Sequence, residues 1–234
     1  MERVVFVHGS VGNGDAAWVE QRALANEFEL VVLNRPGFPP GPLADSVDFE
    51  EHARWVVERM QPGDHLCGHS YGGVVSLYAA AQAPTLRSLT VVEPPAFGIA
   101  ADQPAAAEFI ARLKTLWSDG PREPRAFLAA FYAEVAGRTV ELPDPLPPEQ
   151  YQGAQILMIE RGPWEAQPPL DEIRDAAYPK LVISAGWSPA FDAVCDVLEE
   201  RLNAERAVVP GMGHNPQLLG QPFNDVLRAF LRRA

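Results

Sequence analysis

Basic charge is what this sequence most lacks. Its 19 lysines and arginines face 31 aspartates and glutamates, which leaves a formal net charge of -12. Nucleic-acid recognition needs a basic footprint and anionic membrane surfaces attract basic clusters, so neither partner is expected. Cysteine is scarce as well. Cys67 and Cys195 are too few for a disulfide framework and have no metal-site spacing. There is no H-E-x-x-H, and His65 and His69 span a strand and a turn and cannot share a helical face, so no metal site is expected. Long apolar runs are missing too. The stretch Val4–Val7 ends at once in His8-Gly9, far short of a secretory leader. Nothing approaches the roughly 18–20 apolar residues that span a bilayer. There is no internal repeat and no low-complexity tail. These absences leave a soluble, cytoplasmic protein as the expectation.

What is present is ordinary globular text. The 234 residues are 47% hydrophobic and 21% charged, enough for a full-sized core in a single α/β unit. Short apolar runs alternate with longer helical stretches. Arg3–Val7 reads as a strand opening into a glycine loop, Ala16–Glu27 as a helix, and Phe28–Leu33 as the next strand, stopped by Asn34-Arg35-Pro36-Gly37. A helix is expected from about Asp48 to Met60, then a short strand Asp64–Cys67, a small-residue helix Val74–Gln82 stopped by Pro84, and a strand Leu86–Val92. Alternation of this kind predicts βαβ units, a mostly parallel sheet and helices on both faces.

The alternation breaks from Phe97 to Pro179, where the text is helical and proline-rich. It resumes with the strand Lys180–Ala185, a helix Pro189–Leu202 capped by Ser188, the strand Arg206–Val209 and a final helix from about Pro222. The expected organisation is a core of residues 1–96 and 179–234, with 97–178 as a helical cap or lid. Most aromatic residues of that stretch should form cap core. Trp117, Phe131, Met158 and Trp164 are candidates for lining an apolar acyl pocket.

The chemistry is concentrated at Gly68-His69-Ser70-Tyr71-Gly72, which follows a strand and precedes a helix. That context suits a G-x-S-x-G nucleophile elbow, where side chains at the flanking positions would collide with the sharp turn. A serine hydroxyl needs a base. Among five histidines, His52 reads as a solvated helix residue, His65 begins a strand, His69 should turn its ring away from the reacting atom, and His8 reads as packing. His214 lies in the loop Gly211–Pro216 after the last strand and can reach across to the elbow. The glycines of Gly9–Gly14 lack both the G-x-G-x-x-G spacing and the lysine of a P-loop, so no nucleotide site is expected.

With His8-Gly9 after the first strand, the Gly68–Gly73 elbow and the Gly211–His214 loop in the order serine, acid, histidine, the sequence resembles the α/β-hydrolase superfamily over nearly the whole chain outside the insertion. The resemblance implies a core of about six strands, without the two leading strands of larger relatives. It implies an oxyanion hole made by the amides of Tyr71 and Ser10, with Val11 as the alternative to Ser10. The acid is open. Gly186-Trp187-Ser188-Pro189 has no carboxylate where relatives usually carry one, and Asp192 sits in the first turns of a helix. Glu93, ending the strand Leu86–Val92, is favoured by resemblance to members with their acid after this earlier strand, and because a buried carboxylate needs a partner. The implied activity is cofactor-free hydrolysis of a small-molecule carboxylic ester or related acyl compound. The alternatives are carbon–carbon bond hydrolysis or lyase chemistry on the same residues, and a ligand-binding module without catalysis.

Overall fold

Six strands, all parallel, form one sheet in the order β2-β1-β3-β4-β5-β6. They are β1 (Arg3–Val7), β2 (Glu29–Leu33), β3 (His65–His69), β4 (Ser88–Val92), β5 (Lys180–Ser184) and β6 (Glu205–Val208). The computed structural model describes residues 1–83, 85–136 and 140–234. Pro84, the helix stop read from the sequence, and residues 137–139 of the insertion lie outside the described residues.

The central strands β3, β4 and β5 are buried along their whole length, as expected of parallel strands covered on both faces. The edge strands β2 and β6 are only partly covered. The chain runs outward from β1 to β2, then crosses back to place β3 on the other side of β1. The strand order therefore reverses between β1 and β3, and the loops leaving their carboxyl ends diverge to open a crevice. Those loops carry Ser10 and Ser70.

Between the strands lie α1 (Gly14–Ala17), α2 (Phe49–Val57), α3 (Tyr71–Gln82) and, later, α8 (Pro189–Leu202), while α9 (Gln221–Leu231) follows β6. Asp48 caps α2 by accepting from the Glu50 and Glu51 amides. Ser188 precedes Pro189 at the start of α8 but makes no side-chain capping bond. One face of the sheet packs against α2, α3 and α8. The other packs against α9 and the Trp18–Phe28 region.

That region corrects one expectation. Ala16–Glu27 is not an α-helix: after α1 the chain makes a 3₁₀ helix over Val19–Leu24. The buried residues Trp18, Gln21 and Leu24 recur every third position, which matches the three-residue turn of a 3₁₀ helix rather than the 3.6 of an α-helix. Gln21 is tolerated inside because it donates to the Gln217 carbonyl and to Asn224 Oδ1.

The insertion carries α4 (Pro104–Asp119), α5 (Pro124–Ala136), α6 (Pro148–Ile159) and α7 (Leu170–Asp175). Phe109, Leu113, Ile156 and Ile173 share one apolar cluster with Val5, Leu66 and Val91 of the sheet, so these helices rest on the core directly. A smaller cluster joins Leu116, Phe127, Leu128, Leu146 and Leu157 to Val11 of the loop after β1. Among the described residues, no helix is long and apolar enough to cross a membrane.

Candidate active site

Ser70 stands between the end of β3 and the start of α3 with φ 54 and ψ -130, a left-handed conformation costing a non-glycine residue of order 1–3 kcal/mol. The turn is held by the bond from the Ser70 amide to the Val92 carbonyl (2.9 Å) and by the Gly73 amide donating to the Ser70 carbonyl (2.7 Å). The loop after β1 presses against it. A Cβ on Gly9 would lie 2.7 Å from Ser70 Cβ and 3.2 Å from Ser70 Oγ, so only glycine lets the backbone come this near the hydroxyl.

Ser70 Oγ is 2.8 Å from His214 Nε2, and His214 Nδ1 is 3.2 Å from Glu93 Oε2. These bonds require Nδ1–H towards the carboxylate and a lone pair on Nε2 towards the hydroxyl. Glu93 is fully buried. Its Oε1 accepts from the Ala185 amide (2.6 Å) and its Oε2 from the Trp187 indole (2.8 Å). Both oxygens of this buried carboxyl group are thereby supplied with donors. The structure therefore brings Ser70, His214 and Glu93 together and leaves Asp192 apart. Asp192 is in the first turn of α8, 3.5 Å from Arg206, and burial raises its pKa above the usual carboxylate value.

The other histidines have structural surroundings. His69 donates Nε2–H to the His214 carbonyl at 2.8 Å and so fixes the main chain of the loop carrying that residue. Burial lowers its pKa to about 3, and the neighbouring His214 adds to this. His8 donates Nδ1–H to the Gly9 carbonyl (2.8 Å) and accepts the Arg35 amide on Nε2 (3.0 Å), a neutral packing residue with a pKa lowered chiefly by burial. His65 is buried against Ser88. His52 overturns its reading as a solvated residue. It is buried, it accepts from Arg35 on Nδ1 (3.2 Å), and burial followed by the guanidinium charge lowers its pKa to about 3.

Ser10 and Tyr71 line the same pocket as Ser70, and among the described residues neither of their amides meets a protein acceptor. The Tyr71 amide is one of the first, unpaired N–H groups of α3. Val11, the alternative to Ser10, has φ 72 and turns its side chain into the insertion's apolar cluster.

Two spaces open on Ser70 and His214. One is a groove of about 910 Å³, bounded by the loops after β1 and β6 and by Phe131, Tyr132 and Glu149 of the insertion. The other is a narrow apolar pocket walled by Phe97, Phe109, Leu113, Trp117 and Phe191, with Phe131 shared between the two. Of the residues expected to line an acyl pocket, Trp117 and Phe131 are in the walls of these spaces. Met158 and Trp164 are not: Met158 packs in the insertion's cluster, and Trp164 lies edge-on to Trp117 at 5.6 Å. Sequence reasoning missed Trp187 as a donor to Glu93 and also missed Glu160. That carboxylate is buried beside the pocket, accepts the Ser10 hydroxyl and pairs with Arg35 at 3.1 Å.

Residues 4–229 match the model of the alpha/beta hydrolase family, and the protein belongs to that family. Among solved structures it is similar to NosK from Streptomyces actuosus, at 24% identity with a TM-score of 0.66, covering 100% of this chain and 98% of that one. It is similar to a thermophilic esterase from Thermogutta terrifontis, at 19% identity and TM-score 0.69, over 100% and 90% of the two chains. MenH from S. aureus is similar at 16% identity and TM-score 0.70, over 99% and 94%. Likenesses at these identities speak for the fold alone. None of the curated proteins matches the chain.

Proposed function

We propose that the protein is a serine hydrolase that cleaves a small-molecule carboxylic ester, or a related acyl compound, through an acyl-enzyme on Ser70. The observation that carries this reading is the unbroken line of contacts from Ser70 Oγ through the His214 ring to Glu93. In the first half-reaction Ser70 Oγ attacks the acyl carbon while its proton passes to His214 Nε2. Glu93 holds the tautomer that makes Nε2 basic and stabilises the imidazolium once it forms. The Ser10 and Tyr71 amides bind the carbonyl oxygen as its negative charge develops. The imidazolium then protonates the leaving group, and water repeats the sequence on the acyl-enzyme. No step calls for a cofactor. The insertion, which supplies much of the wall around Ser70, acts as the cap that selects acyl and leaving groups.

The test is a fluorophosphonate, which reports an activated serine independently of substrate identity. One adduct per chain is expected by intact mass, on the peptide containing Ser70, together with turnover of a short-chain 4-nitrophenyl ester that Ser70→Ala abolishes. Folded protein that neither labels nor turns over an ester would rule out the serine-hydrolase reading and leave a binding module.

A further inference from the structure

Resting on that reading, we propose that the helical insertion also builds the oxyanion hole, with Glu160 at the end of α6 and Arg35 at the end of β2 as positioning residues for the Ser10 amide. Besides the His8 Nδ1–H bond to the Gly9 carbonyl, three contacts with Arg35 and the insertion grip the loop after β1. First, Arg35 Nη2 donates to the Gly9 carbonyl at 2.8 Å. In a planar trans peptide the C=O and the next N–H point in opposite directions, so pulling the Gly9 carbonyl towards Arg35 turns the Ser10 N–H the other way. Second, Glu160 accepts the Ser10 hydroxyl and so fixes the residue's other end. Third, α6 lies directly on the loop: a Cβ at Gly153 would come within 2.0 Å of the Val11 carbonyl oxygen. Val11 holds a positive φ that a β-branched residue rarely adopts, with its side chain locked among Leu116, Phe127 and Leu157 of the insertion.

The Arg35–Glu160 pair itself is out of water, with side-chain exposures of 0% and 2%. Arg35 Nη1 donates to neutral His52 and Nη2 to Glu160 and the Gly9 carbonyl, while Nε meets no acceptor among the described residues, and the guanidinium lies 4.3 Å above the Phe38 ring. A buried ion pair is weak evidence for stability, since apolar replacements of similar volume are often neutral or better. Its geometric value is different: the pair crosses from the core to the insertion at the loop whose Ser10 amide must face the reacting carbonyl. Binding energy for the transition state therefore depends on a residue supplied by the insertion, although that residue touches no reacting atom.

The test separates aim from stability. The double variant Arg35→Met with Glu160→Leu removes both charges together and so leaves neither unpaired. Ser10→Ala keeps the amide, removes the hydroxyl that Glu160 holds, and alters only a half-buried side chain, so it folds even if the double variant does not. For 4-nitrophenyl butyrate, kcat should fall roughly 10- to 100-fold in the double variant and about 10-fold in Ser10→Ala, less than the 10²–10³ cost of deleting an oxyanion donor. KM should change less than kcat, because the weakened contact forms only as charge develops on the oxygen. Affinity for a butylboronic acid, which forms a tetrahedral adduct on Ser70, should fall in step with kcat, a parallel that a purely structural role would not produce. If the wild type turns over ester and the folded variants match its kcat and boronate affinity, the inference is overturned while the hydrolase reading stands. A wild type that neither turns over ester nor takes the fluorophosphonate overturns both.

Discussion

Trp187 donates its indole N–H to Glu93 at 2.8 Å, on the same carboxylate oxygen that lies 3.2 Å from His214 Nδ1. The loop after β5 thus supplies a donor to a carboxylate arriving from β4. Glu93 itself has φ 48, so the chain turns sharply as it leaves β4 and brings the side chain across to the histidine.

Glu93→Gln keeps the side chain's shape but loses its charge and inverts one hydrogen-bonding end. Its kcat on a 4-nitrophenyl ester should drop roughly 10²–10⁴-fold. Asp192→Asn should retain near-native turnover with little loss of stability, because burial already disfavours the charged form of this carboxyl. Steady-state kinetics on the two proteins, with circular dichroism to check folding, decides between the carboxylates. An inactive Asp192→Asn beside an active Glu93→Gln would reverse the assignment.

Gly9→Ala tests how close the loop after β1 must come to the nucleophile. The added methyl would sit 2.7 Å from Ser70 Cβ, and the loop must retreat to make room. Retreat withdraws the Ser10 amide, so kcat should fall by about 10² or more, as for loss of an oxyanion donor. Labelling by fluorophosphonate should slow in parallel. Undiminished labelling would show that the loop takes no part in binding the oxyanion.

Phe131, with Val135, lines both the wide groove and the narrow pocket. The wild type should prefer short acyl chains if the narrow pocket receives the acyl group. Phe131→Ala joins the two spaces and should shift the optimum of kcat/KM towards longer chains along a 4-nitrophenyl acetate-to-decanoate series. An unchanged profile would place the acyl group elsewhere.

Acid lability follows from the buried histidines. His52 and His69 have pKa values of about 3 in the folded chain, against about 6.5 unfolded. Above pH 6.5 both states leave them neutral and their contribution is intact. Between pH 6.5 and about 3 the unfolded state takes up protons that the folded state refuses, so stability falls with pH. Each such histidine adds a slope of up to roughly 1.4 kcal/mol per pH unit. Urea midpoints taken from pH 8 to pH 5 should decline below 6.5, and His52→Gln should soften the decline. A flat profile would mean that these rings are protonated inside the fold.

Much of this was legible in the chain. β-Branched runs ending in glycine marked the strands, and the Gly68–Gly73 spacing with a histidine loop after the last strand singled out Ser70 and His214, which the structure brings together. Glu93 could be singled out because a carboxylate at the end of an apolar strand must find donors, which it does in Ala185 and Trp187. What escaped were pairs that only tertiary packing creates. Arg35 follows a turn signal and Glu160 follows a helix, and nothing in either segment says that they meet. His52 sits among charged neighbours along α2, so its sequence context suggested water, whereas its face of the helix turns inward to Arg35. The 3₁₀ segment was missed because Gln21, a polar residue, occupies the middle of its three-residue buried period.

Both native cysteines are buried, Cys67 within β3 and Cys195 within α8, and burial raises the pKa of each thiol far above its ordinary value. Neither forms thiolate at neutral pH or is reachable by a reagent in water. The protein is thus, in effect, chemically silent to thiol probes while folded. A Ser70→Cys variant would carry one addressable sulfur, beside His214 and at the junction of two differently shaped spaces. A maleimide or disulfide-fragment library would then report which shapes each space admits, with no background from the scaffold and no need to know the natural substrate.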